Sequence, residues 1–150
     1  MKLCDFGSST TETHSPDITW NAQQRDTLED LLNRFTTPMY RAPEMLDTWS
    51  NSHIGMKTDT WALGCILYVL CFNRHPFEDS AKLRIINANY TIPTDIKYSC
   101  FHEIIRGCFQ VDPNLRFDVS MILERLGAIS ETKNWTLKGP LGLTVSIFVF

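Results

Sequence analysis

The feature that most constrains the fold is an apolar run from Trp61 to Phe72. Its twelve residues are too few to cross a bilayer, which takes about 20 residues in a helix. Asp59, just before the run, is predicted to cap a helix that extends to about Phe72. Because such a helix would be apolar on every side, it predicts burial all round and a core built about one central helix.

A second helix is predicted from Trp20 to Phe35, with Asn21 as its cap. Apolar residues recur there at i, i+3, i+4 and i+7, the spacing of one helix face; they are Leu28, Leu31, Leu32 and Phe35. The charged residues on the other face are Arg25, Asp26, Glu29 and Asp30. The apolar stripe predicts packing on the rest of the domain, and the charged residues predict a face toward solvent.

Most of the remaining chain also has helical patterns, apart from a short strand predicted at Lys2 to Cys4. Short helices are predicted from Pro43 to Trp49 and through Leu83 and Ile86, the latter capped by Asp79 or Ser80. Two amphipathic helices follow, with apolar positions Phe101, Ile104, Ile105, Cys108 and Phe109, and then Val119, Ile122, Leu123 and Leu126 after a cap at Asp118. The sequence therefore predicts a mainly α domain.

Composition argues against several kinds of function. The 150 residues carry a formal net charge of −3 with no basic half, which argues against nucleic-acid binding. Five cysteines and four histidines show neither Cys-x-x-Cys nor His-x-x-x-His spacing, which argues against a metal site built from them. We expect buried free thiols in a reducing compartment, and a soluble cytoplasmic protein with no signal peptide or transmembrane segment.

Five short motifs follow one another along the chain. The first, Asp5-Phe6-Gly7, is weak evidence alone, because a surface turn after a strand would look the same. The others are Thr37-Pro38-Met39-Tyr40-Arg41-Ala42-Pro43-Glu44, Asp59-x-Trp61-x-x-Gly64, His75-Pro76-Phe77 and Asp112-Pro113-x-x-Arg116. The five motifs in this order are far more specific than any one of them.

Together the motifs resemble the carboxy-terminal lobe of a eukaryotic protein kinase, over Lys2 to about Lys133. The resemblance implies an activation segment that begins at Asp5-Phe6-Gly7 and ends at Ala42-Pro43-Glu44. In it, the Asp5 carboxylate would bind Mg²⁺ on ATP, the Phe6 ring would pack inward and Gly7 would permit the turn. Residues 134–150 depart from the family pattern, and their apolar end is expected to be dispensable and prone to aggregation.

The resemblance also assigns structural and substrate-positioning roles. Glu44 and Arg116 would form a buried ion pair, Asp59 would brace the catalytic loop, and Trp61 and Gly64 would pack the buried helix. Thr37 and Tyr40 would position a Ser or Thr substrate. These residue types at these motif positions favour the Ser/Thr class over tyrosine kinases.

The long insert between Asp5 and Glu44 narrows the resemblance to the Numb-associated kinase family, chiefly its cyclin-G-associated branch and then its adaptor-associated branch. The matching stretches include Lys2 to Ser8, Trp20, Thr36 to Arg41 and Trp61 to Leu83. Membership implies protein substrates such as clathrin adaptor subunits, and a place on clathrin-coated vesicles or the Golgi.

In kinases the Gly-rich loop, the ATP-binding Lys and the His-Arg-Asp catalytic loop all precede Asp-Phe-Gly. Only four residues precede Asp5 here, so the sequence resembles the back half of an enzyme. The full-length parent would use ATP and Mg²⁺, whereas this chain alone is expected to bind neither and to be inactive. The alternative is a non-catalytic interaction module or pseudo-enzyme from the same gene family.

Overall fold

The computed structural model describes residues 4–94 and 96–136, which fold into a mainly helical domain. Six α-helices are present in this part of the chain: α1 (Ala22–Phe35), α2 (Pro43–Leu46), α3 (Lys57–Phe72), α4 (Lys82–Ile86), α5 (His102–Cys108) and α6 (Val119–Lys133). Single 3₁₀ turns lie at Pro38–Tyr40 and Thr48–Ser50, and a longer one at Ile96–Phe101. The predicted strand, except for Cys4, and the apolar tail from residue 137 lie outside the described residues.

The main core is built against one side of α3. Trp61, Cys65 and Tyr68 of α3 are buried. They belong to one cluster with residues of the following segments, namely Phe77, Ile85, Ile104, Ile105, Cys108 and Phe109. The Trp61 ring is stacked 5.5 Å from that of Phe77 and lies 5.0 Å from that of Phe109. The predicted central position of this helix is therefore confirmed for half of its circumference.

The other side of α3 is exposed, which corrects the prediction of burial all round. Leu63, Ile66 and Leu70 recur at i, i+3 and i+7 on this side, and all three are exposed. An apolar sequence makes burial of every face of a helix favourable. It does not show whether another segment is present to cover each face. No other described residues cover this face.

The start of α3 also differs from the prediction. The helix begins at Lys57, and Asp59 lies exposed in its first turn rather than at the cap. The amide of Thr58 donates to the Gly55 carbonyl at 2.9 Å, so the chain is already turning before Asp59. A carboxylate in the first turn still favours the helix through its dipole.

Two glycines of the core mark close approaches, that of Gly64 in α3 to the end of α5 and that of Gly107 in α5 to Phe117. A Cβ at Gly64 would lie 2.6 Å from the Cβ of Cys108 and 3.0 Å from the ring of Phe109. A Cβ at Gly107 would lie 2.3 Å from the ring of Phe117. These separations are too short for a side chain, so both contacts require glycine.

Gly64→Ala is expected to lower the free energy of unfolding by about 1–3 kcal/mol, because an added methyl group overpacks the core. Gly127→Ala in α6 is the matched control, since no atom of the described residues would lie within 4 Å of its Cβ. That change should raise stability by about 0.5–1 kcal/mol, the usual gain from alanine inside a helix. Urea denaturation measures both, and equal stabilities for the two variants would contradict the close contact.

Helix α1 forms with the predicted cap. The Gln24 amide donates to Asn21 Oδ1, and the Asn21 amide donates to Gln24 Oε1, each at 2.9 Å. This reciprocal pair satisfies two amides that the first turn would leave without partners. The helix begins at Ala22, two residues after the predicted start at Trp20.

The buried face of α1 is narrower than the apolar face that the sequence predicts. Leu28 and Leu32 are buried with Ile54 in a small second core, but Leu31 and Phe35 are 41% and 45% exposed. Arg25, predicted to face solvent, is only 2% exposed. The contact face is therefore rotated toward Arg25, because the turn at Thr48–Ser50 lies beside the first half of the helix.

The remaining helices agree with the predictions in part. Asp118 caps α6 as predicted, accepting from the Met121 amide at 2.8 Å. The predicted helix from Pro43 to Trp49 is divided into α2 and the 3₁₀ turn at Thr48–Ser50. Leu83 in α4, and Val119 and Leu123 in α6, are exposed. No helix within the described residues is both long and apolar enough to cross a membrane.

The cysteines are free, and three of them are buried: Cys65, Cys71 and Cys108. Burial raises the pKa of Cys65 to about 12 and that of Cys108 to about 11. Both thiols therefore remain protonated and act as small apolar groups of the core. Cys4 is exposed and Cys100 half-buried, so the prediction of buried thiols holds for three of the five cysteines.

Candidate active-site segment

The turn at Asp5-Phe6-Gly7 lies at the surface. Asp5 has a φ of 66°, in the left-handed region. The Phe6 carbonyl accepts from the Ser9 amide at 3.1 Å and from Ser9 Oγ at 2.7 Å. Phe6 is 64% exposed, which corrects the expectation that its ring packs inward.

Asp5 fits the role of a single metal ligand. Its carboxylate is exposed, and carboxylate oxygen is the kind of ligand that Mg²⁺ prefers. No three His, Cys, Asp or Glu side chains converge to form a metal site in the described part of the chain. Asp5 could therefore share a Mg²⁺ ion with phosphate oxygens and water, but the described residues do not form a complete protein cage for the ion.

The strip from Thr37 to Tyr40 follows directly after α1. Thr37 is exposed and precedes the 3₁₀ turn, in which the Tyr40 amide donates to the Thr37 carbonyl at 3.0 Å. The Tyr40 ring stands edge-on to His75 with 4.9 Å between the ring centres. This contact of the Tyr40 ring holds the backbone of the strip in place at the surface.

His75 supports this strip from the motif His75-Pro76-Phe77. It is buried, and its Nδ1 accepts from the Phe77 amide at 3.0 Å. Burial lowers the pKa of His75 below its usual value, so the ring is neutral at physiological pH. The sequence drew attention to this motif, but not to the contact that it makes with Tyr40.

Arg41 holds the strip to the end of α1, a role that sequence reasoning missed. Its Nη1 donates to Asn33 Oδ1 at 2.6 Å, its Nε to Thr36 Oγ1 at 2.8 Å and its Nη2 to the Thr36 carbonyl at 2.9 Å. The planar guanidinium fits this set of neighbouring acceptors, which an ammonium group could not match. The only signal in the sequence was the position of Arg41 inside the second motif.

Glu44 and Arg116 form a buried bidentate ion pair. Arg116 Nη1 and Nη2 donate to Glu44 Oε1 and Oε2, each at 2.7 Å, and both side chains are at most 1% exposed. Arg116 also donates to the carbonyls of Lys57 and Gln110 at 2.8 and 2.9 Å. Its guanidinium lies 5.2 Å from the centre of the Trp61 ring. The pair therefore joins α2 to the start of α3 and to the loop that follows α5.

A cleft of about 880 Å³ is lined by four of the predicted site residues. Gly7, Thr37, Tyr40 and Asp59 line it, together with the stretch from Ser8 to His14 and the exposed side chains of Leu31 and Phe35. Asp5 does not line the cleft, and the Glu44–Arg116 pair lies apart from it. The structure thus brings Gly7, the strip from Thr37 to Tyr40 and Asp59 of α3 around one open space.

Comparison with known proteins shows the family of the chain. Residues 1–126 match the protein kinase domain family. Two probable serine/threonine-protein kinases of Dictyostelium discoideum are 45% and 48% identical over 129 residues, or 85% of this chain. Actin-regulating kinase 1 of Saccharomyces cerevisiae is 36% identical over 126 residues, or 83% of the chain.

The chain spans only 15%, 11% and 19% of the lengths of these three relatives. Within the match, the helices and the buried ion pair agree with a carboxy-terminal kinase lobe. The family match covers far more than half of the sequence. The chain therefore belongs to the protein kinase domain family.

Proposed function

We propose that residues 1–133 are the carboxy-terminal lobe of a serine/threonine kinase, and that residues 134–150 are a tail outside it. The observation that supports this best is the cleft where Gly7, Thr37, Tyr40 and Asp59 meet. A hydroxyl substrate bound along Thr37 to Tyr40 would lie on the same side of the lobe as the turn that bears Asp5. The reaction is transfer of the ATP γ-phosphate to a Ser or Thr hydroxyl.

The residues of this chain would have two roles, which are to bind the metal ion and to position the substrate. Asp5 would hold Mg²⁺, which neutralises charge on the ATP phosphates when it is bound. Thr37 and Tyr40 would orient the substrate backbone and its hydroxyl group. Such positioning is the larger part of catalysis in this class of enzyme. ATP, Mg²⁺ and the general base would meet these residues only in the full-length gene product.

A finer proposal places the gene product in the Numb-associated family, closest to its cyclin-G-associated branch, with the adaptor-associated branch second. It rests on α1, a 14-residue helix lying between the Asp-Phe-Gly and Ala-Pro-Glu motifs. Its protein substrates would be clathrin adaptor subunits, and it would act in the cytoplasm at coated vesicles or the Golgi. Phosphorylation of purified adaptor subunits on threonine by the gene product tests this assignment, and its absence would contradict it.

The second candidate is a non-catalytic interaction module. The exposed face of α3, formed by Leu63, Ile66 and Leu70, favours it, because a contiguous apolar face attracts a partner. The two candidates differ in one respect that can be measured, since only the first requires phosphate transfer by the full-length gene product.

The acceptor class tests the proposed function. The full-length gene product, given radiolabelled ATP and three peptides that differ only in Ser, Thr or Tyr at one position, is expected to label the Ser and Thr peptides alone. Asp26→Asn, on the exposed side of α1, is a control that should leave the pattern unchanged. Labelled tyrosine, or no transfer to any peptide, would contradict the proposal.

A further inference from the structure

Arg25 stands out as a charged residue buried in a surface helix. It is 2% exposed, whereas its neighbours Gln24 and Asp26 are both exposed. Burying a charge without a carboxylate partner costs free energy unless dipoles replace its hydration. The polar groups around Arg25 therefore show which segments of the chain its guanidinium holds together.

The guanidinium contacts two separate stretches of chain besides its own helix. Nη1 donates to the Thr48 carbonyl, and Nη2 donates to the Asp17 carbonyl at 2.5 Å and to Asn51 Oδ1 at 2.9 Å. The group also lies 4.4 Å from the centre of the Trp49 ring. These contacts join α1, the loop before it and the turn after α2, and they use the planar fork that only arginine has.

A second bond on the same side of α1 strengthens this junction. Thr48 is buried, and its Oγ1 donates to Glu29 Oε1 at 2.7 Å, one helical turn beyond Arg25. The turn at Thr48–Ser50 is thus held at its backbone by Arg25 and at its side chain by Glu29. It follows closely after α2, which carries Glu44 of the buried ion pair.

The far end of α1 is held by Arg41, which binds Asn33 and Thr36. The strip from Thr37 to Tyr40 therefore follows a helix that is held near each end by a buried arginine. If the first end were released, α1 could pivot about the second, and the strip would move with it. Arg25 is remote in sequence from this strip but is connected to it through one rigid helix.

We propose that Arg25 is a positioning residue, which holds α1 against the Thr48–Asn51 turn and thereby fixes the substrate-facing strip from Thr37 to Tyr40. This inference rests on the proposed function for the meaning of that strip, but its structural part does not require catalysis. Arg25 does not belong to the main core around α3, which is a separate cluster of residues. Its loss should therefore loosen α1 and the strip while the main core stays folded.

Amide hydrogen exchange on the 150-residue chain tests the structural part. The reporters are the amides of Tyr40 and Arg41, which donate to the carbonyls of Thr37 and Pro38 at 3.0 and 3.2 Å. In Arg25→Met these amides should exchange about tenfold faster, which is the expected consequence of losing bonds to a charged group. The amides of α3 should exchange at the wild-type rate.

Two further variants keep the test decisive if Arg25→Met unfolds. Asn51 has a φ of 55°, so Asn51→Gly keeps the left-handed backbone and removes one acceptor of Arg25. It should accelerate the same two amides by a smaller factor. Arg34→Met, on the exposed end of α1, is the control and should change neither. Unchanged exchange at Tyr40 and Arg41, or equal acceleration throughout α3 in both variants, would overturn the inference.

Kinetics of the full-length gene product test the functional part. Arg25→Met and Asn51→Gly should raise KM for a peptide substrate several-fold and leave KM for ATP unchanged, a split that simple loss of folded enzyme would not produce. Equal changes in both constants would overturn the positioning role. A wild-type gene product without phosphate transfer would instead refute the proposed function, and the exchange experiment would still decide whether Arg25 fixes the strip.

Discussion

Arg116→Ala is expected to lower the free energy of unfolding by about 3–5 kcal/mol, because it leaves the Glu44 carboxylate buried without a partner. Glu44 is 2% exposed, and both of its oxygens bond only to Arg116 among the described residues. The same change removes the donors to the Lys57 and Gln110 carbonyls. Such a loss is a large part of the stability of a domain this size.

The matched control is Arg125→Ala. Arg125 also forms an ion pair, with its Nε 2.8 Å from Glu103 Oε1, but the two side chains are 40% and 65% exposed. Exposed pairs contribute about 0–1 kcal/mol, so this variant should melt close to the wild type. Urea denaturation followed by tryptophan fluorescence compares the two, and equal losses would show that the Glu44–Arg116 pair does not hold α2 to the core.

The 150-residue chain by itself is expected to transfer no phosphate from ATP. Its sequence contains no Gly-rich phosphate loop and no His-Arg-Asp motif, and of the phosphate-side motifs it keeps only Asp5-Phe6-Gly7. The Asp5 carboxylate cannot hold ATP by itself, and while it binds Mg²⁺ it cannot also act as the base that accepts the proton of the substrate hydroxyl. Because each factor of ten in rate is ~1.4 kcal/mol of barrier, losing several such groups should reduce the rate to background.

The measurement is radiolabel transfer from ATP and Mg²⁺ to a Thr peptide, with an Asp5→Ala chain alongside. The two chains should give the same background signal. Transfer by the wild-type chain above the Asp5→Ala chain would show that this segment carries a phosphate site that the family motifs do not describe.

The parts of the fold that could be predicted from the sequence depend on local signals or on motif identity. Helix α1 follows from its capping pair and its apolar repeat, because the Asn21 and Gln24 side chains satisfy amides within a single turn. Glu44 and Arg116 are far apart in sequence, and no periodicity relates them. Only the family resemblance placed them together, and the structure has them in contact.

Apart from helix boundaries, the failures concern which neighbour covers a residue. Leu31 and Phe35 fit the apolar repeat of α1, but the contact face is narrower than the repeat and leaves them at the cleft. Arg25 looked like part of a solvent face, because a charged residue gives no local signal that carbonyls from distant segments will surround it. Burial depends on the approach of other segments, and a helical pattern describes only one side of that contact.

The most direct test of the central claim is Asp5→Asn in the full-length gene product, with Asp26→Asn as the control. If this segment supplies the metal ligand of a Ser/Thr kinase, Asp5→Asn should reduce phosphate transfer by at least about a thousandfold, or ~4 kcal/mol of barrier. Asp26→Asn should retain the wild-type rate. A rate for Asp5→Asn within about tenfold of the wild type would contradict the assignment of Asp5 as the metal ligand of a Ser/Thr kinase.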